Sequence, residues 1–472
     1  MRSGKVSQVL LVLSLLIIGT ILVYENGPEA ASGIAWAPGD SIKIDSDADL
    51  ISQAASNGWP GSGTESDPYR IENLTITGKT TNGIDISNTE LYIVINNCTL
   101  SKNNGHDIYL SICSNLTIVN CSLFNTTTAI NIGGGNNILI INNTLVSHRY
   151  GMRMSSVSDL IISGNQMLNP DDKGETGLYS WDINRYLIRD NEISNHTDYG
   201  MFGFFFGSGR ISNNSFIRNV RTGICPNSGY EGSTLRIDNN TCHSNYVGIG
   251  PWNIASIIAE NNTCYNNSIG LGLGGVHIVK DNTIYQNEIG LRIESGVKAY
   301  DNDVFNNLKD GIQVEGGSNE VFGNEVKNNG RAGIFVRSRP YVSDSHIIHD
   351  NVVEGNMVGI YLNDTNDDQV HNNTVKNNKG PAIQIVKGSR IGIIDNTILS
   401  SSEKGITASS ISYLTLWNNS ITTHNKTALS IDGATYLDVI DNMVKVDEKR
   451  AVEVTNCAII AFKENTVEGG SF

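Results

Sequence analysis

The chain has 472 residues, 48 of them Gly, with only 17% charged residues and a formal net charge of −15. That charge disfavours nucleic acid and anionic membrane surfaces as main partners. Low charge with many Gly, Asn, Ser and Thr suits a structure of many turns and few helices.

At the N-terminus, Arg2 and Lys5 precede an apolar run from Val9 to Val23. Its length fits a secretory h-region and, extended back to Val6, reaches the lower edge for a membrane anchor. Residues 1–35 are therefore expected to be a signal peptide or a retained anchor. Either places the body outside the cell, secreted or surface-anchored, with membrane contact only through this segment.

Residues 36–72 read as an N-terminal cap. Within them, 46–58 predicts a short helix: Ser46 or Asp47 as N-cap, Leu50, Ile51, Ala54 and Ala55 on one face, and Gly58 as C-cap. Such a helix would cover the open apolar end of a stack of repeats.

From residue 73 onward one phrase recurs at about 23-residue spacing. Its anchor column runs through Cys98, Cys121, Asn143, Asn165, Asn191 and on to Asn465, seventeen positions in all, with Leu74 in the column before them. Each unit also carries a small residue followed by alternating aliphatics, as in Gly290-Leu291-Arg292-Ile293. Short period-2 runs bounded by Gly and Asn are strands, and a fixed repeat of this length is a solenoid. The expected fold is all-β, a single-stranded right-handed parallel β-helix of about 17 coils over residues 73–472. With one strand spacing per coil, the rod would be on the order of 80 Å long.

The anchor Asn is expected to point inward, its amide satisfying turn backbone and its counterpart in the next coil. Its tolerance of the left-handed conformation suits such turns. The Gly column (Gly83, Gly151, Gly177 and onward) is read the same way, although Ala129, Ala382, Ala428 and Ala451 show that small size counts there. Of seven cysteines, Cys98/Cys121 and Cys242/Cys264 occupy shared columns in consecutive coils, read as stacked thiols, with bridges within reach.

The opening "GWPGSGTESDPYRIENLTI" and the ladder phrase resemble the right-handed parallel β-helix repeat proteins of the pectin-lyase-like class. Within it they look like the group sharing the NosD-type repeat, which includes carbohydrate-binding proteins and sugar hydrolases. The likeness covers about residues 57–467. It implies the fold and a polysaccharide or glycan partner. A copper role known for some members is not carried over, since no Met, His or Cys cluster accompanies it here. Alginate epimerases of the class carry a Tyr-Gly…Asp-Pro-His-Asp phrase; residues Thr176 to Asp182 keep only its Gly and last Asp.

The repeat is least regular between residues 149 and 252, where half of the chain's Arg fall. If Met152, Leu178 and Met201 point inward, then Arg153, Tyr179 and Phe202 form an outward column, with Trp181, Phe204 and Trp252 in a second. Rings beside Arg make a polysaccharide platform, and Arg149 and Arg221 would add charged contacts. Two residues before the small position stand Arg149, Glu175, Asp198 and Arg221 in successive coils. Neighbouring Glu175 and Asp198 would suit acid/base or nucleophilic work on a glycosidic bond. No cofactor is expected; calcium is the one ion that Asp171, Asp172 and Asp182 would suit. Three functions compete: a non-catalytic glycan-binding or envelope-scaffold protein, a polysaccharide lyase or glycoside hydrolase acting near 149–252, and an adhesion or assembly protein that pairs as a homo-oligomer through an open C-terminal edge near Phe472.

Overall fold

The computed structural model describes residues 41–205, 209–227, 234–251, 256–275, 277–338, 344–400, 404–424, 427–447 and 450–469. The signal or anchor segment, Trp252 and Phe472 lie outside them.

The chain winds as a right-handed parallel β-solenoid. Each coil visits three sheets in order. Sheet A runs from Ile42–Ile44 to Val452–Thr455, sheet B from Tyr69–Glu72 to Ile459–Lys463, and sheet C from Thr75–Thr77 to Thr466–Glu468. Among the described residues, sheet C stacks eighteen strands. Neighbours pair parallel from the first coil to the last, with a register shift between Trp181 and Ile183 against Phe204 and Phe205. In several coils A and B merge into one long strand, such as Thr128–Ile141, Tyr150–Ser163 and Thr176–Arg189.

Alternation decides what is inside. In the coil from Ile289 to Phe305, Leu291, Ile293, Val297, Ala299 and Val304 are fully buried, while Arg292, Lys298 and Asp303 face out. Repeated along the rod, this produces one continuous aliphatic core from Ile42 to Val452. The strand Ile42–Ile44 precedes the helix and pairs with Ile84–Ile86, so sheet A begins ahead of the cap.

The helix spans Asp47–Asn57, with Ser46 Oγ accepting from the Asp49 N–H and Gly58 in the left-handed conformation at the C-cap. Leu50 and Ala54 are buried. Ile51 and Ala55, expected on the same face, are exposed, because the contact stripe is narrower than a full amphipathic face.

The anchor asparagines do stack inside. Asn262 Nδ2 donates to Ile237 O (2.9 Å) and to Asn282 Oδ1 (3.0 Å), and the Asn262 N–H donates to the same Oδ1 (2.9 Å). Similar rungs run from Asn143 to Asn465. Cys98 and Cys121 stand in for Asn, their thiols facing Ile71 O (3.6 Å) and Ile95 O (3.8 Å). All seven cysteines are free thiols. Cys242 and Cys264 are directly paired in sheet C and fully buried.

Two expectations about these columns need correction. The left-handed residue is the one before the anchor, as at Asn142, Asn261, Asp301 and Asn418, and not the anchor Asn itself. The Gly column has no positive φ at all. A Cβ on Gly290 would lie 2.6 Å from the Gly311 carbonyl and 2.7 Å from Asn307 Nδ2. At Gly290 close approach between coils, and not backbone conformation, favours Gly; where Ala129, Ala382, Ala428 and Ala451 stand in the column a methyl is accommodated.

A second ladder is not evident from the anchor phrase. Five residues after the anchor, Asn219, Asn245, Asn267, Asn287, Asn307, Asn329, Asn356 and Asn378 stack in the turn between sheets C and A; Asn267 Nδ2 donates to Cys242 O and Asn287 Oδ1 (each 3.0 Å). Its sequence signal is the final Asn of phrases such as "KNN" and "YQN". His148 takes the same place: its Nε2–H donates to Leu123 O (3.0 Å), and Nδ1 accepts from the Thr126 N–H (3.2 Å). A neutral imidazole thus takes the place of an amide, with one donor for the carbonyl and one acceptor for the N–H.

Candidate functional site

The candidate residues sit on the outer face of sheet A and on the corner that leads into it. Tyr150, Thr176 and Tyr199 are register partners, as are Arg153, Tyr179 and Phe202, and Ser155, Trp181 and Phe204. The alternation that buries Met152, Leu178 and Met201 turns the two predicted columns outward.

The rings form one connected surface. Tyr179 stacks on Phe202 (centroids 5.8 Å apart), Trp181 packs on Phe204 (4.2 Å), and Phe202 meets Tyr199 (4.7 Å) and the edge of Phe204 (6.1 Å). Trp181 remains 49% exposed. Sequence alternation does not single out Tyr199, because its strand position precedes the expected column. Arg153 is exposed, and its guanidinium lies over the rings of Tyr179 (5.7 Å) and Tyr150 (6.0 Å).

The charged column keeps its register. Backbone N–H groups of Glu175, Asp198 and Arg221 donate to the carbonyls of Arg149, Glu175 and Asp198 in turn (2.7, 2.9 and 2.8 Å). The side chains then divide into two pairs. Glu175 binds Arg149 Nε (2.8 Å) and accepts from the Tyr150 hydroxyl (2.7 Å). Asp198 binds Arg221 Nε (2.9 Å), whose guanidinium also donates to Tyr199 Oη (3.1 Å). The Tyr150 hydroxyl and Arg149 hold the Glu175 carboxyl below its ordinary range. Partial burial raises Asp198, with Arg221 opposing and Glu175 adding to the rise. The two carboxyls therefore differ, but each is already engaged by a cation.

The calcium candidates do not converge. Asp171 accepts from Ser147 Oγ (3.3 Å) in the turn after sheet C, whereas Asp182 accepts from Ser156 Oγ (3.2 Å) where sheet A bends into B. Asp172 stands exposed beside Asp171 with positive φ. Among the described residues, no three His, Cys, Asp or Glu side chains come together as ligands for one ion. Among those residues too, no helix is long and apolar enough to cross a membrane.

Further along sheet A lies a depression of about 430 Å³, lined by Thr222, Val247, Gly250, Ile269, Gly272 and Arg292 among others. No sequence phrase hints at it: its floor is made of missing side chains. Aromatic stacks run elsewhere on the exterior, His243–Tyr265–Tyr285–Phe305 on sheet C and Tyr300–Phe322–His349–His371 on sheet B, with neighbouring planes within 17° of parallel. Their faces are occupied by one another, unlike the open face of Trp181.

The right-handed beta helix region family matches residues 58–169, 108–269 and 230–374, together more than half of the chain. The chain belongs to that family. A second match, to the periplasmic copper-binding protein (NosD) family, covers residues 337–469 of this beta helix. No curated protein matches. Among solved structures, the beta helix is similar to the periplasmic alginate epimerase AlgG (13% identity, TM-score 0.30, covering 89% of this chain and 84% of that one). It is also similar to the family 28 exopolygalacturonase of Yersinia enterocolitica (12%, 0.30, 79% and 73%) and to PfbA, a surface adhesin of Streptococcus pneumoniae (10%, 0.27, 75% and 84%).

Proposed function

We propose that this is an extracytoplasmic beta helix that binds polysaccharide or glycan on the outer face of sheet A around residues 149–204, without chemistry of its own. The observation that carries this reading is the exposed Trp181 ring, continuous with the half-buried rings of Tyr179, Phe202 and Phe204, beside the exposed guanidinium of Arg153. Flat apolar rings fit the C–H faces of sugars, and a guanidinium gives directional hydrogen bonds to their oxygens. Arg149 and Arg221 stiffen the edge of the surface by holding Glu175 and Asp198. Charge pairing of those carboxylates favours binding over catalysis, since a general acid or nucleophile must be free to meet its substrate.

The test is a broad glycan array probed with residues 41–472, comparing wild type with Trp181→Ala and Phe204→Ala. The reading expects a restricted set of glycans, with at least tenfold weaker retention by both variants. Unchanged retention on every bound glycan would overturn it.

A further inference from the structure

The corner between sheets B and C is the one corner that does not border sheet A. In all eighteen coils of the described residues, the first residue of this corner is left-handed, the next is the anchor, and the third opens the sheet C strand. Nine of the left-handed residues are Asn: Asn73, Asn97, Asn120 and Asn142 in the first four coils, then Asn213, Asn239, Asn261, Asn372 and Asn418. Every one is exposed, and every one has Thr or Ser two residues on. The other nine are Asp, Gly or Glu, and only three of them have a hydroxyl there, Thr283, Thr397 and Thr466. The remaining six have Gln166, Glu192, Asp303, Glu325, Val352 and Met443.

Asn and the hydroxyl therefore occur together, and the turn does not ask for that. A left-handed position accepts Asn, Asp and Gly alike. Among the described residues, no hydrogen bond joins any of the nine amides to the hydroxyl two residues on. Asn97 Nδ2 donates instead to Asn73 Oδ1 (2.7 Å), and Asn418 Nδ2 to Asp395 Oδ1 (2.6 Å), both in the preceding coil. The corner from sheet C to sheet A is a control within the same molecule. Asn306, Asn328 and Asn377 are left-handed and exposed there, with Leu308, Gly330 and Lys379 two residues on, whereas Asn125, Asn195 and Asn266 are followed by a hydroxyl. A left-handed Asn in this rod needs no hydroxyl companion.

We infer that the corner between sheets B and C is a ladder of acceptor sites for asparagine-linked glycosylation. An accessible Asn with Thr or Ser two residues on is the acceptor signature. The residue between them is the inward anchor, so the amide and the hydroxyl both stay outside the coil. The co-substrate is a saccharide esterified to a polyprenyl phosphate and presented by a transferase outside the cytoplasm. Asn Nδ2 attacks the anomeric carbon, the C1–O bond breaks with its electron pair leaving on the phosphate, and the amide gives up one proton. The inference rests on the extracytoplasmic placement and not on glycan binding. Sugars on this corner leave the outer face of sheet A uncovered.

Neighbouring coils stand about 4.8 Å apart, too close for a branched saccharide on each. Acceptors in consecutive coils, such as Asn120 and Asn142, therefore compete. Asn372 and Asn418 do not, because the adjoining coils hold Asp350, Asp395 and Asp441 at this position.

The test is peptide mapping by mass spectrometry on the full chain recovered from the cells that naturally make it, as wild type, Thr374→Val and Thr374→Ser. Asn372 should carry a saccharide in more than half of the wild-type molecules, with lower occupancy at Asn120 and Asn142. Thr374→Val should lower occupancy at Asn372 at least tenfold and leave Asn418 unchanged, while Thr374→Ser should retain the sugar. Circular dichroism checks that Thr374→Val is folded; if it is not, Asn372→Asp serves in its place, since both adjoining coils already hold Asp in this turn, and one saccharide mass should vanish from the intact protein. Wild-type peptides without sugar, sugar on Asn306, Asn328 or Asn377 as often as on the corner between sheets B and C, or sugar on Asn372 that survives loss of the hydroxyl would each overturn the inference. None of these results bears on the sheet A platform, which the glycan array tests separately.

Discussion

Removing one rung of the main ladder should unfasten the rod locally. In Asn262→Ala the backbone of residue 262 still donates to Asn282 Oδ1, but four side-chain contacts go, among them the Nδ2 donation to that same Oδ1 (3.0 Å). Asn262 Oδ1 no longer accepts from the Asn240 N–H (3.0 Å) or from Asn240 Nδ2 (3.1 Å), and Ile237 O loses the donor at 2.9 Å. Asn262 is fully buried, so water does not replace it without opening the turn. Two main-chain groups are left short, and each orphaned buried group costs about 1–3 kcal/mol, which sums to about 4 kcal/mol. Solenoids open coil by coil, so the loss should appear locally and not as one global shift. Hydrogen exchange read by mass spectrometry should show amides of residues 235–265 and 278–285 exchanging roughly a thousandfold faster, with the coils around Ile393 unchanged. Asn262→Cys should cost less than Asn262→Ala, because Cys98 and Cys121 already serve as thiol rungs. Exchange within threefold of wild type around residue 262 would refute the argument that the amides, and not the aliphatic core alone, hold the turns.

Burial carries other consequences. Asp107 stands in the small-residue column, wholly inaccessible, and burial pushes its carboxyl up to about 7 against donors from Asn103 and Thr126. A raised folded value means the neutral form is stabilised: the full contribution is present below about pH 4 and is lost as pH rises through about 7. Asp107→Asn should therefore be near neutral at pH 4 and stabilising at pH 8, by at most about 4 kcal/mol, seen as a rise in melting temperature confined to high pH. His196 runs the other way, lowered to about 4 by burial, so its contribution is present above about pH 6.5 and is lost as pH falls toward 4; His196→Asn should raise the melting temperature at pH 4.5 more than at pH 7.5. Gly311→Ala puts a methyl 2.6 Å from Asn329 Nδ2 and 2.7 Å from the Gly333 carbonyl, and should destabilise by about 1–3 kcal/mol in local exchange.

Much of this architecture is legible from spacing alone. The anchor column, the inward strands and the helix over Asp47–Asn57 all emerge from period and composition, because a solenoid repeats its physics once per coil. The second Asn ladder escapes notice because Thr126, His148 and His196 interrupt it at its start, so identity breaks where geometry does not. The role of the Gly column is not legible, because a short sequence phrase cannot separate positive φ from close approach. The facing of Tyr179, Trp181, Phe202 and Phe204 is legible, since alternation aims side chains. The partners of Glu175 and Asp198 are not: backbone register brings four charges into one column, but rotamers decide who binds whom, and Tyr150 lies one residue outside that column. The glycine floor is invisible for a simpler reason, as no residue marks it.

The central functional claim is that this face binds without reacting, and a turnover screen tests it most directly. Purified wild type is incubated with a broad panel of acidic and neutral polysaccharides, following reducing ends and unsaturated sugar absorbance, beside Glu175→Gln and Asp198→Asn. The account predicts no product above a protein-free control and near-wild-type glycan retention by both variants. Product that accumulates with wild type and disappears in either variant would contradict it.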